Sequence, residues 1–435
     1  MKNNIKQLLK LFVPIFIANI GVFTMSLVDS LMLAQNHTEH LALQSIGDMP
    51  ITITLMLMNG LLQGTLYTSA EYFGKQKYQE AGATFRNSTK QALLLSLTAI
   101  ILYFCIPYLL DAQNYNKNQI IAATKVMKIL CCSIPFSLIY FSCMFFLNGV
   151  QKPWIATKFV IIANVLNFIL NWLFIDGKFG FPPMYSAGVA LSTTIVRIFL
   201  SFCLLSSILF HREFKKFNIL YGKTSVPSKH QNRIGYYTTF NLISFEAGIA
   251  FCLYYASNIN LLTAAAFTLS YRLMGFMHLI SVSLAVATSV ITSPLRTQIA
   301  KTKQLLSSAF QINNYIIIPI CITAIILTSQ LATSLSNDIS LQSLLRLFLP
   351  FTFIAIIFRC INSMQIIILR SFYDLTIPSI LYCISFILVQ PGITLWQGKW
   401  QQGLGIIIAI VVANLLATIS LAGRFLFLLK PQTNK

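Results

Sequence analysis

Twelve apolar runs dominate the chain, at 8–34, 43–70, 88–110, 121–147, 155–175, 184–210, 235–258, 261–292, 305–330, 342–369, 376–395 and 403–429. A helix needs about 20 mostly apolar residues to cross the hydrocarbon core of a bilayer. Inside lipid, only a helix or a closed barrel satisfies its own backbone. Runs of this length and number predict an all-α polytopic membrane protein with 12 transmembrane helices. Composition agrees, because 56% of residues are hydrophobic and 10% charged, too little polar surface for soluble domains. The first run follows a short basic lead and is longer than a signal-peptide core, so it reads as a retained span. Pro14, Pro107, Pro135, Pro319 and Pro350 lie inside runs and predict kinked helices.

A net charge of +20 suits nucleic acid in general, but here the basic residues sit in short loops between apolar runs. No basic cluster is interleaved with surface aromatics, so no nucleic-acid partner is expected. Lys and Arg instead set orientation. With the N-terminus inside, 22 of the 31 fall on the inner side and five on the outer: Lys117, Lys125, Lys128, Lys178 and Lys399. Arg197, Arg272, Arg346 and Arg359 fall within runs. The expected location is therefore the cell (inner) membrane with both termini cytoplasmic. The nine cysteines all lie in apolar runs without C-x-x-C spacing, and read as small core residues.

The longest connection, 211–234, carries six basic residues and divides the chain near its middle. Local matches recur across it. Asn148 to Pro153 after span 4 pairs with Arg370 to Asp374 after span 10, and Gly177-Lys178 pairs with Gly398-Lys399. Pro135-Phe136-Ser137 is echoed by Pro350-Phe351-Thr352. Six spans per half means that both halves share one orientation, as in parallel-repeat transporters. The expected organisation is an N-terminal six-helix lobe (1–210), a cytoplasmic linker (211–234) and a C-terminal six-helix lobe (235–435). The two pseudo-symmetric bundles are expected to flank a central cavity.

Ionisable groups inside a span are costly and mark candidate sites. Asp29 lies about 21 residues into span 1, roughly 30 Å along the helix and toward its outer end. It shares a helical stripe with Asn19, Ser26 and Ser30. Thr52, Asn59 and Gln63 share one face of span 2, and Asn164, Asn167 and Asn171 one face of span 5. These stripes predict a hydrated pocket enclosed by spans 1, 2 and 5, in which Asp29 reads as the only acid well inside a first-half span. Such amides also serve as interhelical hydrogen-bond donors with no further role. In the second half, Glu246 sits near the midplane of span 7, with Arg272 in span 8 and Arg359 in span 10. Buried charge is tolerated mainly in pairs, so one arginine is expected to neutralise Glu246. Arg197 either faces the same interior or snorkels along its helix end.

Other motifs are absent or weak. His37-Thr38-Glu39-His40 lacks the H-E-x-x-H order of a zinc site. No phosphate-binding Gly-rich loop and no nucleophile elbow occurs, so neither direct ATP drive nor an intramembrane enzyme is indicated.

With these residues in place, the chain resembles the multidrug and toxic-compound extrusion (MATE) family, and its NorM branch most closely. Leu27-Val28-Asp29-Ser30-Leu31-Met32 resembles the family's span 1 signature. The most specific match runs from Asn148-Gly149 through Asn167, Asn171 and Ile175 to Pro182, and on through Ala187-Gly188 to Thr193. Phe245-Glu246 resembles the branch's embedded glutamate, and Cys360 to Gln365 its span 10 pattern. The resemblance implies exchange of inward H⁺ or Na⁺ for outward organic, often cationic, compounds. No other cofactor is implied, and a monomer is expected. By position it places Asp29, Asn167, Asn171 and Thr193 in the ion or proton network of the first lobe, with Na⁺ at Asp29 as an option. Glu246 and Asn362 would belong to the second lobe's site. Asn171 and Asn362 stand where many relatives carry aspartate, and with Arg272 and Arg359 in the same lobe this counts against Na⁺ there. The alternative within transport is a flippase for an anionic lipid-linked substrate, which Arg197, Arg272 and Arg359 would favour.

Overall fold

The computed structural model describes residues 2–36, 38–111, 117–296, 298–397 and 400–428; His37, Gly398 and Lys399 of the sequence reading lie outside them. Every regular element among the described residues is helical. In chain order they are α1 (Lys2–Asn36), α2 (Thr38–Leu62), α3 (Gly64–Gly74), α4 (Tyr78–Asp111), α5 (Lys117–Cys131), α6 (Ile134–Gly149), α7 (Pro153–Ile175) and α8 (Tyr185–Phe210). A short 3₁₀ segment (Arg212–Phe217) precedes α9 (Lys229–Ile259), α10 (Leu261–Leu295), α11 (Ile299–Ile326) and α12 (Thr328–Leu335). The remainder is α13 (Ile339–Ser371), α14 (Thr376–Cys383), α15 (Gln390–Gln397) and α16 (Leu404–Leu428).

Eleven of the described helical stretches, α2 with α3 and α14 with α15 each counted as one, are long and apolar enough to cross a membrane. The pair Ile120–Cys131 and Ile134–Gly149, bent by 42° at its break, supplies a twelfth. These stretches coincide with the twelve apolar runs. Pro135 accounts for the break: it occupies the first turn of α6 and has no N–H to continue the preceding helix. Pro14, Pro319 and Pro350 instead lie within continuous helices. Pro391 deprives the carbonyl four residues earlier of its usual donor, and residues Ile384–Val389 just before it widen into a π turn between α14 and α15.

Backbone proximity divides the chain into two compact units, Val13–Thr239 and Met1–Phe12 with Phe240–Lys435. The 211–234 connection belongs to the first unit for a chemical reason. Arg86 donates to the carbonyls of Asn218 (2.9 Å) and Thr224, and Asn87 donates to that of Val226 at 2.9 Å. The first turns of α9 pack tightly on α2 and α3. A Cβ on Gly64 would sit 1.9 Å from the Gln231 carbonyl oxygen, and one on Gly235 would sit 2.1 Å from that of Leu61. Only glycine permits that approach.

The core of this unit is aromatic, with Phe146 against Phe85 (4.9 Å between ring centroids) and Phe217 (5.3 Å). In the second unit, α13 packs against α10, α11 and α16. The stretch Ser281–Ser293 of α10 is buried throughout save Val282 and rich in Ser, Ala and Thr, which bring helix backbones close. All nine cysteines are free.

Candidate functional site

Helices α1, α7 and α8 converge on Asp29. Its side chain is 8% exposed, and it is held by neutral donors alone. Oδ1 accepts from Asn167 Nδ2 (3.0 Å) and Asn171 Nδ2 (2.6 Å), and Oδ2 accepts from Thr193 Oγ1 (3.1 Å). Asn167 and Asn171 are one helical turn apart on α7, so both amides reach one carboxylate. All four residues grouped by the sequence reading therefore meet in one cluster. Asn171 Oδ1 is buried and has no hydrogen-bond partner among the described residues. It is an oxygen ligand in reserve beside a carboxylate.

Asp29 opens onto a pocket of about 310 Å³. Ser26 and Ser30 of α1, Gln44, Ser45, Asp48 and Thr52 of α2, Tyr140 and Phe141 of α6, and Arg197 of α8 are among its lining residues. Two corrections follow. Asp29 is not the only acid: Asp48 faces the same space, its Oδ2 accepting from Thr52 Oγ1 at 2.9 Å. The resemblance brought no arginine into the Asp29 set, yet Arg197 lies within electrostatic reach of both carboxylates. Its guanidinium donates to Ser133 Oγ at 2.7 Å, at the break between α5 and α6. Two acids and one arginine leave the pocket with a single net negative charge when all are ionised.

Sequence periodicity missed Asp48 because it sits near the start of a span, where a charge reads as interfacial. Its i+4 relation to Thr52 was the available signal. Asn59, Gln63 and Asn164, expected in the same pocket, do not line it; Asn164 donates to the Val160 carbonyl of its own helix at 2.9 Å.

The second unit holds its acid differently. Glu246 of α9 accepts from Tyr271 Oη at 3.1 Å on each carboxylate oxygen, and Arg359 lies within electrostatic reach. Arg359 is buried on α13 with its guanidinium 3.3 Å from the centroid of the Phe245 ring, and donates to the Tyr382 hydroxyl. No ion pair within 4 Å joins it to Glu246 among the described residues. Arg272 is exposed and makes no hydrogen bond or ion pair with this group among the described residues. Asn362 is fully buried and donates to Asn414 Oδ1 at 3.0 Å, away from Glu246. Ser363 links this amide pair to His278, whose Nε2 lies 2.6 Å from Ser363 Oγ. No group of three or more His, Cys, Asp or Glu residues is placed to hold a metal among the described residues.

The chain is similar to known proteins. A family model described as MatE matches residues 14–173. A probable multidrug resistance protein NorM of Caulobacter vibrioides is 24% identical over 434 residues, covering 96% of this chain and 90% of the relative. One of Listeria monocytogenes is 25% identical over 419 residues, covering 92% and 89%. The fold also matches the solved outward-facing conformation of a multidrug resistance MATE family transporter of the MOP superfamily. That match has a TM-score of 0.88 at 18% identity and covers 98% of this chain and 97% of the other.

Proposed function

We propose that this chain, which belongs to the MATE family, is a secondary antiporter that exports organic cations from the cell and is driven through Asp29. It is a multi-pass membrane transporter and not an enzyme. The observation that carries the reading is a buried carboxylate with only neutral hydrogen-bond partners, opening directly onto a pocket of one net negative charge.

The chemistry runs through the inventory of donors and acceptors. Ionised, Asp29 accepts from two amides and a hydroxyl. A proton turns one carboxylate oxygen into a donor, so one neighbour must become an acceptor. Thr193 can do so by rotating its hydroxyl. Asn171 can do so by turning its amide, since its Oδ1 has no partner to lose and its Nδ2 gives up only a 3.5 Å contact with Asn167 Oδ1 besides the bond to Asp29. The same turn offers a Na⁺ ion oxygens from Asp29, Asn171 and Thr193, the hard ligands it prefers. Either ion cancels the pocket's net charge and removes its attraction for an organic cation. Ion and cargo thereby exclude one another, which supports antiport when their occupied states prefer opposite-facing conformations.

The flippase reading requires arginines free to hold an anion. Arg197 shares its pocket with two carboxylates, and Arg359 is stacked on Phe245 and bonded to Tyr382, so the export reading is preferred. We place the protein in the inner membrane with cytoplasmic termini, on the distribution of Lys and Arg. The test is reconstitution in liposomes with separately imposed Na⁺ and pH gradients. Cation efflux that follows one of the two gradients supports the reading and names the ion. Efflux indifferent to both defeats it.

A further inference from the structure

The first unit carries a second cavity, of about 430 Å³, remote in sequence from Asp29. Its walls include Lys152, Arg212, Glu213 and Lys216 with the rings of Phe73 and Phe217. Each wall comes from a helix end: α3 stops at Gly74, α6 at Gly149 and α8 at Phe210, and α7 starts at Pro153. The cavity therefore lies where spans meet water, on the side of the basic 211–234 connection.

Its charges are sorted by geometry. Lys152 Nζ lies 2.7 Å from Glu213 Oε2, so these two neutralise each other. Hydrogen bonding to Lys152 also holds the Glu213 carboxyl below the usual carboxylate range, so it stays ionised at neutral pH. Lys216 has no carboxylate within ion-pair distance among the described residues. Its ammonium is held over aromatic rings instead, 4.4 Å from the Tyr78 centroid and 5.4 Å from those of Phe73 and Phe217. Arg212 is exposed and likewise without an acid at that distance among the described residues. Two positive charges are left uncompensated at a concave site, one of them fixed in place before any ligand arrives.

The cavity's apolar surroundings complete the pattern. Phe210, the last residue of α8, is 76% exposed, and Phe202 two turns earlier is 71% exposed. Leu220 and Tyr221, just beyond the 3₁₀ segment, are also exposed.

We infer that this cavity binds the phosphate headgroup of an anionic phospholipid, with its acyl chains lying along the exposed aromatic face of α8. Two uncompensated cations match a phosphodiester, and the adjoining apolar face matches the chains that a soluble anion lacks. Anionic lipids concentrate in the leaflet that basic juxtamembrane segments face.

The test uses the purified full chain, stripped of lipid, with phosphatidylglycerol or phosphatidylcholine added and bound lipid counted by native mass spectrometry. Phosphatidylglycerol is expected to bind in preference. Removing one basic residue should weaken it about fivefold, so Arg212→Gln with Lys216→Gln should weaken it roughly 25-fold. Phosphatidylcholine binding should stay unchanged. Lys301→Gln with Lys303→Gln, in another basic stretch, should leave the preference intact. Equal losses in both double variants would reduce the effect to general surface charge and overturn the site. So would unchanged affinity in the cavity variant. Inorganic phosphate competing as well as the lipid would assign the cavity to a soluble anion and overturn the lipid proposal. Should the double variant fail to fold, Arg212→Gln alone carries the test, because its side chain is exposed and makes no ion pair with a described residue.

Discussion

Asp29, buried, and Glu246, half-buried, are both carboxylates in spanning helices, yet they are solvated by opposite means. Asp29 has three neutral donors and a pocket of about 310 Å³ beside it. Glu246 has a tyrosine hydroxyl on both oxygens and an arginine in reach. The space beside Tyr271 amounts to about 10 Å³, room for about one water. Arg197 reaches Asp29 too, but it is shared with Asp48 and bonded to Ser133, so one of the two acids keeps an unmatched charge that an arriving ion can cancel. An acid with a resident guanidinium already has its counter-charge. On the proposed function, exchange belongs to the first unit and a structural task to the second.

The comparison breaks most visibly at the acids themselves. Asp29→Asn keeps the shape and removes the charge, so gradient-driven efflux should fall to the level of empty liposomes while the protein extracts and purifies normally. Glu246→Gln should retain most of its coupled efflux at matched expression. Normal coupling by the Asp29 variant, or equal losses in both, would erase the distinction.

Next in size is the stability of the second unit. Arg359→Met removes the nearest counter-charge of a half-buried acid together with a buried guanidinium's own contacts, the Phe245 ring and the Tyr382 hydroxyl. A large drop in Tm is expected, and adding Glu246→Gln should restore part of it because the stranded charge is gone. A double variant no more stable than Arg359→Met alone would show that Arg359 serves only its aromatic partners.

How much of this was legible in sequence depends on what each feature answers to. Spans answer to lipid thickness and backbone satisfaction, which composition records directly. Their number and approximate places were accordingly readable, along with Asp29 as a charge in an apolar run, while α4 starts ten residues before its run. The break at Cys132–Ser133 was signalled only by Pro135, and four other prolines carried the same signal, of which Pro14, Pro319 and Pro350 left their helices unbroken. Lateral packing is what escaped. Periodicity gives the face of a helix and not the neighbour it meets, so Asp48 and Arg197 could not be assigned to the Asp29 pocket. Charge pairing led from Glu246 to an arginine, but the direct contacts of Arg359 are aromatic and phenolic, a class of partner that such reasoning does not enumerate. Likewise the Asn362–Asn414 pair joins two helices 52 residues apart.

The pocket's net charge offers a sharper and smaller test. Asp48→Asn and Arg197→Gln change that charge in opposite directions while leaving Asp29 in place. A charge a few ångströms away through partly hydrated protein is worth about tenfold in affinity. The half-saturating concentration of a monovalent organic cation should therefore rise about tenfold in Asp48→Asn and fall in Arg197→Gln, measured at fixed gradient. Shifts of the same sign in both variants would mean that geometry, not charge, governs the pocket.

The narrowest substitutions separate the units most cleanly, because they touch a single hydroxyl in each. Thr193→Val preserves volume and removes one donor to Asp29, which is also the group able to become an acceptor by simple rotation. A hydrogen bond to a charged group is worth about 1.5–3 kcal/mol, so the ion concentration for half-maximal efflux should move by at least about tenfold. Thr193→Ser keeps the hydroxyl and should restore most of that dependence. Tyr271→Phe removes the one donor that reaches both oxygens of Glu246, so its effect belongs in Tm and not in the ion dependence. The reason is that the guanidinium of Arg359 remains as the counter-charge whichever hydroxyl is lost. Both variants can be read from one titration of efflux against the coupling ion and one melting curve. A shifted titration for Tyr271→Phe would place an exchangeable ion in the second unit as well, and the division of labour between the two acids would fail.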